Sequence, residues 1–413
     1  MKDPRITQLA ENLLTYSVRI QPGEKLLIEA KGGYSLDLVK ELIRLATEKG
    51  AVPVWYYNDD GILRQFLCSV QPEQMDAFTD VHLAISKMMD AYIAIRGSEN
   101  AFDLADIPES QMRLYNQVYI KKVHLEQRIE HTKWCVLRFP NSAMAQLAQA
   151  SQESFEDFYF TVCNLDYARL SKAMEPLKEL MEKTDEVHIV APGTDIRFSI
   201  RGIPVVKCDG ERNIPDGEVY TAPVRDSVDG TVAFNTPSLD EGVLYTDICL
   251  EFKGGKIIAA TCAEGSDRIN DLLDTDEGAR YLGEFSIGVN PYIRAPMKDT
   301  LFDEKIYGSI HLTPGNAYKE AWNGNPSAIH WDLVLIQTPE FGGGEIYFDG
   351  RLIRKDGEFV LPALAPLNAA ARATDLVSIP TVTCIRPSSR SCSRTSRTCR
   401  SSSRSGSAPS DMT

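Results

Sequence analysis

The fold class is decided by residues 25–57, which read KLLIEAKGGYSLDLVKELIRLATEKGAVPVWYY. Lys25–Glu29 is a short apolar run, and Ser35–Lys49 carries apolar residues at helical spacing and is followed by Gly50. Val52–Tyr57 is rich in β-branched and aromatic residues. These patterns predict a strand, a helix that ends at a glycine, and a second strand. Strands that alternate with helices in this way favour a parallel sheet.

The same alternation continues to about residue 184. We predict helices at Gln8–Ser17, Pro72–Met88, Glu109–His131 and Phe155–Lys183, and strands at Ala91–Ile95 and Trp134–Arg138. We therefore expect an α/β N-terminal domain, residues 1–184, built on a parallel sheet with helices on both faces.

From Glu186 onwards, short strands recur between Gly, Asp and Pro turns. The predicted strands are Val187–Val190, Ile196–Ile200, Val219–Ala222, Gly230–Phe234, Thr246–Phe252, Lys256–Cys262, Ser309–Leu312, Ile329–Ile336 and Glu345–Phe348. One helix is predicted among them, Ser266–Leu282, with Ser266 as its cap. We expect a β-rich α+β C-terminal domain, residues 185–368.

Composition separates a third region from this body. The chain has 413 residues, a formal net charge of −14 and 43% hydrophobic residues, enough for a large core. Residues 386–413 hold six Arg, eleven Ser and one acid, a charge of +5, so residues 1–385 carry −19. We predict that residues 369–413 form a disordered Ser/Arg-rich tail, either an extension or a translation artefact. An RNA- or partner-binding arm is the alternative for this tail.

Several classes of protein are excluded by these numbers. The acidic body argues against a general nucleic-acid binder, and no apolar run is long enough to span a membrane. The start of the chain lacks the apolar core of a signal peptide, so we expect a cytoplasmic protein. None of the nine cysteines forms a C-x-x-C pair, which disfavours a structural zinc site. We expect the body cysteines to be reduced and mostly buried.

Two histidines stand in contexts that suit a functional site. His330 and Asp332 lie two residues apart in an apolar segment, so as strand residues they would project together. They are equally compatible with a hydrogen-bonded core pair and with two metal ligands. His311 precedes a Pro-Gly turn, where sites are commonly built, but it fits a loop-edge residue as well. Surface or core roles are expected for the other four histidines, His82, His124, His131 and His188.

Carboxylates are abundant, and any one of them is weak evidence. Glu218 follows a Pro-Asp-Gly turn, and Glu284 follows the predicted helix Ser266–Leu282. Considered alone, both are expected to be solvated acids.

A series of motifs nevertheless resembles one known family. The motifs are Asn213-Ile214-Pro215 with Glu218-Val219-Tyr220-Thr221, Leu282-Gly283-Glu284, Phe302-Asp303-Glu304, His311 with Gly315-Asn316-Ala317-Tyr318, and His330-Trp331-Asp332. Their order and most spacings are similar to those of the thermophilic metallo-aminopeptidases (M29 family) typified by aminopeptidase T. The resemblance covers residues 1 to about 368, and the motifs are specific only as a set. The stretch between His311 and His330 is shorter than in the thermophilic members, which implies a trimmed loop beside the substrate pocket.

The resemblance implies a metallo-aminopeptidase with two divalent metal ions per chain. Its metal ligands would be Glu218, Glu284, His311, His330 and Asp332, with Glu304 as a further candidate. Tyr318 matches the active-site tyrosine of the family, and the substrate would be a peptide with a free N-terminus. A homodimer is also implied.

The ligand types predict the chemistry. Carboxylate and imidazole ligands suit Zn²⁺, Co²⁺ or Mn²⁺. Two such ions need a bridging carboxylate, for which we choose Glu284, and they would supply hydroxide near neutral pH. Tyr318 would stabilise the developing oxyanion.

Two other functions remain open at this stage. The family's fold resembles that of 2,5-dihydroxypyridine dioxygenases, and His311, His330 and Asp332 could hold one Fe(II). Glu218 and Glu284 argue against this, because a site for one metal does not need them. A non-enzymatic binding protein on the same fold is the second alternative, although none of the five ligands is missing.

Overall fold

Five parallel strands form the sheet of the N-terminal half in the computed structural model, which describes residues 3–100, 102–240 and 243–368. The first four strands are β1 Lys25–Lys31, β2 Val52–Asn58, β3 Ala91–Arg96 and β4 Lys133–Arg138. The helices before, between and after them are α1 Pro4–Asn12, α2 Leu36–Glu48, α3 Asp60–Leu67, α4 Pro72–Ser86, α5 Glu109–Leu114, α6 Ser142–Leu147, α7 Gln152–Cys163 and α8 Tyr167–Met181. Tyr115–Ile129 continues α5 as a π-helix.

The two faces of this sheet are buried under different helices, as predicted. Successive residues of a strand point to opposite faces. Ile28 of β1 accordingly belongs to the large core with Leu9 of α1 and Leu42 of α2. On the other face, Leu27 packs with Tyr92 and with residues at the end of α4. The predicted parallel α/β architecture is therefore confirmed.

The C-terminal half is built from antiparallel sheets. Its strands are β5 Glu186–Ala191, β6 Thr194–Ser199, β7 Val206–Cys208, β8 Asn213–Ile214, β9 Glu218–Thr221, β10 Asp229–Ala233, β11 Ser238–Asp240, β12 Val243–Tyr245, β13 Cys249–Lys253, β14 Lys256–Thr261, β15 Leu282–Gly288, β16 Ser309–Pro314, β17 Leu333–Ile336, β18 Glu345–Phe348, β19 Arg351–Lys355 and β20 Glu358–Phe359. Two short helices, α9 Ile269–Leu273 and α10 Thr300–Asp303, interrupt them. The β-rich character that the sequence predicts is confirmed.

These strands are arranged in an eight-stranded, a five-stranded and a two-stranded sheet. The eight-stranded sheet has the order β14-β13-β10-β6-β5-β18-β19-β20, and the five-stranded sheet has the order β17-β16-β15-β9-β7. β11 pairs with β12. The remaining strand, β8, adds to the parallel sheet beside β4. A strand from the second half therefore completes the first sheet, and the boundary predicted at residues 184 and 185 stays a prediction.

Several predicted elements are wrong in detail. The helix predicted at Phe155–Lys183 is two helices, α7 and α8. The helix predicted at Ser266–Leu282 shrinks to α9 and a 3₁₀ turn, because the chain must enter β15 at Leu282, and the residue that precedes α9 is Arg268 rather than Ser266. The strand predicted at Ile329–Ile336 begins only at Leu333.

The cysteines are less buried than expected. Cys135 and Cys163 are buried, but Cys68 is exposed and the other three body cysteines are intermediate, although all six are free. The three tail cysteines and the predicted disorder of residues 369–413 lie outside the described residues. None of the helices in the described part of the chain is both long and apolar enough to cross a membrane.

Candidate metal centre

Three neighbouring strands of the five-stranded antiparallel sheet bring the first candidate ligands together. Glu218 begins β9, Glu284 lies in β15 and His311 lies in β16. Ser286 pairs with His311 on one side and with Tyr220 on the other, so the alternate residues Glu218, Glu284 and His311 project from the same face. One ligand atom from each of these three lies within 4.8 Å of the others.

These three side chains are buried, in contrast to the solvated acids expected from the sequence. Glu218 is 4% exposed, Glu284 is 3% exposed and His311 is fully buried. His311 Nε2 lies 2.9 Å from Glu284 Oε1, and His311 Nδ1 lies 3.6 Å from Glu218 Oε2. The solvent exposure expected for Glu284 was wrong, because Glu284 belongs to a central strand and does not follow the end of a helix.

Two polar atoms in this group lack hydrogen-bond partners. Glu284 Oε2 and His311 Nδ1 are buried and have no partner among the described residues. Buried polar atoms left unpaired are costly and rare, and each calls for an explanation. A carboxylate oxygen and an imidazole nitrogen are also the usual donors to Zn²⁺ and related ions. The donor set therefore fits a bound divalent metal.

The electrostatics of the group point the same way. Burial raises the pKa of Glu284. Burial alone would lower the pKa of His311, but the carboxylates of Glu218 and Glu284 raise it to about 10. The two glutamates thus hold a positive charge at His311 when no metal is bound. A metal cation would replace that proton, since histidine binds metals in its neutral form.

His330 and Asp332 lie at the edge of this group. His330 Nε2 lies 3.4 Å from Asp332 Oδ1 and 3.7 Å from Glu284 Oε2. His330 Nδ1 donates to the carbonyl oxygen of Asn316 at 2.8 Å, so Nε2 is turned towards the acids. Thr313 Oγ1 donates to Asp332 Oδ1 at 2.6 Å and fixes that carboxylate. Partners of this kind orient the ligands in known metal sites.

The carboxylate of Asp332 and the ring of Tyr318 complete this edge. Burial alone would raise the pKa of Asp332, but His330 and His311 lower it overall. The ring centroid of Tyr318 lies 4.4 Å from that of His330, and Tyr318 is 45% exposed. Desolvation of its phenol group and the nearby carboxylates raise the pKa of Tyr318 well above its usual value, so the hydroxyl stays protonated.

Lys305 is a component of the site that the sequence reasoning missed. It is 1% exposed, and its Nζ lies 2.6 Å from Glu218 Oε1 and also contacts Glu304. Burial by itself would lower the pKa of Lys305, but Glu218, Glu304 and Asp216 raise it well above its usual value. Glu304 is therefore brought to the group through Lys305, while burial raises its own pKa. A lysine that follows two acids offers no sequence signal of burial.

A second possible ligand group shares Glu218 and is a weaker candidate. It consists of Cys208, Asp216 and Glu218. The two oxygens of Asp216 already accept hydrogen bonds from the backbone N–H groups of Gly210 and Gly217. Burial raises the pKa of the Cys208 thiol well above its usual value, which disfavours the thiolate that a metal requires.

We use the name acidic cluster for the main group and its neighbours, which are Glu218, Glu284, Glu304, Lys305, His311, His330 and Asp332.

Known proteins share both the fold and the sequence pattern of this chain. Aminopeptidase 2 of Geobacillus stearothermophilus is 25% identical over 413 aligned residues, covering 86% of this chain and 95% of that protein. The structure of wild-type AmpT from Thermus thermophilus superimposes with a TM-score of 0.74 at 22% identity, over 87% of this chain and 99% of that one.

The dioxygenase alternative has only the fold in its favour. The structure of 2,5-dihydroxypyridine dioxygenase from Pseudomonas putida superimposes with a TM-score of 0.56 at 12% identity, over 87% of this chain and 98% of that one. The sequence model of the thermophilic metalloprotease family (M29), by contrast, matches residues 2–359. This match covers most of the chain, including every residue of the acidic cluster. The chain therefore belongs to the thermophilic metalloprotease (M29) family and is a peptide hydrolase.

Proposed function

We propose that this chain is an aminopeptidase that removes the first residue from peptides with a free N-terminus, using two divalent metal ions. The unpaired atoms Glu284 Oε2 and His311 Nδ1, both buried among carboxylates, are the observation that carries this proposal. The names of the relatives, which are aminopeptidases, support the substrate class. Zn²⁺, Co²⁺ and Mn²⁺ are the ions that suit these donors.

The ligands are Glu218, Glu284, His311, His330 and Asp332, and Glu304 is a sixth candidate. Both carboxylate oxygens of Glu284 would be available to hold the metal ions, because they face different histidines. Oε1 lies 2.9 Å from His311, and Oε2 lies 3.7 Å from His330. Bound metal ions would lower the pKa of water and so supply hydroxide near neutral pH.

The other residues of the site bind, orient and neutralise. Tyr318, protonated and partly exposed, can donate a hydrogen bond to the oxygen of the scissile carbonyl as negative charge develops there. Lys305 and Ser286, which donates to Glu218 Oε2 at 3.1 Å, hold Glu218 in place. A carboxylate of the cluster that is not occupied by metal would hold the free amino group of the peptide. The family resemblance further implies that the chain forms a homodimer.

Two anilides test this function directly. Leucine p-nitroanilide and its N-acetylated form should be compared, with chelator and after addition of Zn²⁺, Co²⁺ or Mn²⁺. We expect chelator-sensitive hydrolysis of the free-amine substrate only, because the blocked amine removes the group that the site selects. Equal hydrolysis of both substrates would exclude an aminopeptidase. His188→Ala is a suitable control, since His188 pairs with Asp195 on β6, outside the site.

Metal stoichiometry decides between this function and the dioxygenase alternative. Two divalent ions per chain support the peptidase, and Glu218 and Glu284 provide the extra ligands for the second ion. One iron per chain together with oxygen uptake on dihydroxypyridines would overturn the proposal.

A further inference from the structure

A second group of buried charges lies in the N-terminal half, between the parallel sheet and two helices. A small cavity opens there between β1 and β3 on one side and α4 and the π-helix Tyr115–Ile129 on the other. Glu29, Tyr56, His82, Tyr92, His124 and Arg128 are among its lining residues. It has room for about one or two water-sized groups. We call these six residues, with Arg96, the basic cavity.

One positive charge of the basic cavity is already balanced. Glu29 is 7% exposed and accepts a hydrogen bond from Arg96 Nη1 at 2.8 Å and another from the hydroxyl of Tyr92. Burial alone would raise the pKa of Glu29, but Arg96, His124 and Tyr92 lower it to about 2. Glu29 is therefore ionised at neutral pH and forms an ion pair with Arg96.

Arg128 has no ion-pair partner within the described residues, and Glu29 acts on its charge only from a longer distance. Arg128 is 9% exposed, and its guanidinium carbon lies 5.0 Å from the ring centroid of Tyr92 and 4.9 Å from that of Trp134. The aromatic rings stack on the faces of the guanidinium group, so the N–H groups at its edge stay available as hydrogen-bond donors. Arg128 Nε and Nη1 have no hydrogen-bond partner within the described residues. A buried charge of this kind is costly unless it is paired.

His124 adds a further unpaired nitrogen beside the same aromatic ring. It is 8% exposed, its ring centroid lies 6.2 Å from that of Tyr92, and its Nδ1 has no partner in the part of the chain that the structure describes. Burial lowers the pKa of His124 to about 4, so the imidazole is neutral and can donate one N–H. His82 is engaged elsewhere, because its Nδ1 bonds to the hydroxyl of Tyr119 at 2.9 Å.

We propose that the basic cavity binds one small monovalent anion, of the size of chloride, between Arg128 and His124. The unpaired groups of Arg128 are donors only, and the neutral imidazole of His124 can donate as well, so the ligand must accept hydrogen bonds. The charge left over after the Glu29–Arg96 pair is positive, so a cation is disfavoured. The size of the cavity excludes a phosphate ester or a nucleotide. Water could accept the same hydrogen bonds but would not balance the charge of Arg128.

Bromide provides a direct test on the unaltered chain. Crystals should be soaked in bromide, and anomalous diffraction should be measured at the bromine edge. We expect a peak in the cavity between Arg128 and His124. Density without anomalous signal there would indicate water and overturn the proposal. This measurement requires neither catalytic activity nor bound metal, so its outcome is separate from that of the peptidase assay.

Thermal unfolding tests whether the anion is bound in solution. The Tm should be measured in chloride and in gluconate, which is too large for the cavity, at equal ionic strength. A ligand that binds only the folded chain raises Tm, and we expect chloride to raise it by about 2–4 °C. Arg128→Gln should abolish this difference.

Arg212→Gln is the matched control for this measurement. Arg212 also stacks on Trp134, at 5.7 Å, but its side chain is 56% exposed and it donates to Glu320. The chloride effect should persist in Arg212→Gln. A chloride effect that also persists in Arg128→Gln would place the anion elsewhere and overturn the proposal. If Arg128→Gln does not fold, the bromide peak in the unaltered chain still decides the question.

Discussion

The acidic cluster and the basic cavity are both buried groups of charges, but they leave opposite charges unbalanced. In the acidic cluster, the carboxylates outnumber Lys305 and the two histidines, and the unpaired atoms include a carboxylate oxygen of Glu284. In the basic cavity, Arg96 is paired with Glu29, and the unpaired atoms are nitrogens of Arg128 and His124. Both groups carry the cost of removing charge from water.

The difference shows how the sign of the leftover charge selects the ligand. Two glutamates and a histidine that converge from three strands offer electron pairs to a cation. An arginine and a neutral imidazole offer N–H groups, which only an electron-pair donor can satisfy. The number of buried polar atoms alone does not distinguish a cation site from an anion site. The chemical type of the unpaired atoms distinguishes them.

The largest effect is expected when a carboxylate of the acidic cluster is neutralised. Glu284→Gln keeps the shape of the side chain but removes the negative charge that would hold the metal ions. Because residues that merely orient a ligand contribute about 10–100-fold, we expect a loss of hydrolysis by more than about 100-fold, with reduced metal content. Elemental analysis and the leucine anilide assay measure the two quantities.

Glu29→Gln is the matched control, since Glu29 is a buried carboxylate of the other group. Its folded fraction should keep full metal content and the unaltered rate. Equal loss of metal in both variants would mean that the two groups are not distinct in function.

Removing the positive charge of Lys305 tests whether Lys305 balances the carboxylates of the acidic cluster. Lys305→Met leaves Glu218, Glu304 and Asp216 without their buried partner. We expect the metal-free protein to lose about 3–5 kcal/mol of unfolding free energy, as when one member of a buried ion pair is removed. Urea unfolding measures this loss. Added Zn²⁺ should restore part of it, and a variant as stable as the unaltered chain without metal would contradict the assignment.

Two tyrosines offer a smaller and more selective test. Tyr318 and Tyr92 both lie beside buried carboxylates, but only Tyr318 is partly exposed at the metal centre. Tyr318→Phe should lower kcat by about 10²–10³-fold, the cost of removing one oxyanion donor, with metal content and Tm unchanged.

Tyr92→Phe should have the opposite profile. Loss of its hydrogen bond to Glu29 should cost about 1–3 kcal/mol of stability and leave kcat unchanged, as measured by urea unfolding and the anilide assay. Unchanged kcat in Tyr318→Phe would exclude Tyr318 from the reaction.

The sequence was informative wherever local pattern and structure agree. Helical and strand patterns correctly predicted β1, α2 and β2, and hence the parallel sheet, because β1 and α2 bury apolar residues and β2, a half-exposed edge strand, is rich in β-branched and aromatic residues. The order of the acidic and histidine motifs also led to the family that the comparisons show. Neither inference depends on long-range contacts.

The sequence was misleading wherever burial depends on distant strands. Glu218 and Glu284 look like surface acids locally, and only pairing of β9, β15 and β16 makes them a group. His330 and Asp332 approach each other, but the strand begins at Leu333, so the alternation expected of them is not the cause. Arg128 lies in a segment predicted simply as a polar helix, and its burial follows from packing against Trp134 and Tyr92.

The smallest predicted effect concerns the pH dependence of the basic cavity. The pKa of Glu29 is about 2 in the folded chain, below its ordinary value of 4.5. Stability from Glu29 is therefore complete above pH 4.5 and is lost as the pH falls towards 2. Between pH 6 and pH 4, the unaltered chain should lose about 1 kcal/mol relative to Glu29→Gln.

Urea unfolding of both chains at pH 6, 5 and 4 measures this change, and most other carboxylates cancel in the difference. A gap that does not change with pH would mean that Glu29 has the same protonation in the folded and unfolded chains. Arg96 and Tyr92 would then stabilise the carboxylate of Glu29 no better than water does. The pair of Glu29 and Arg96 would contribute nothing to stability, and the contrast with the acidic cluster would rest on Arg128 and His124 alone.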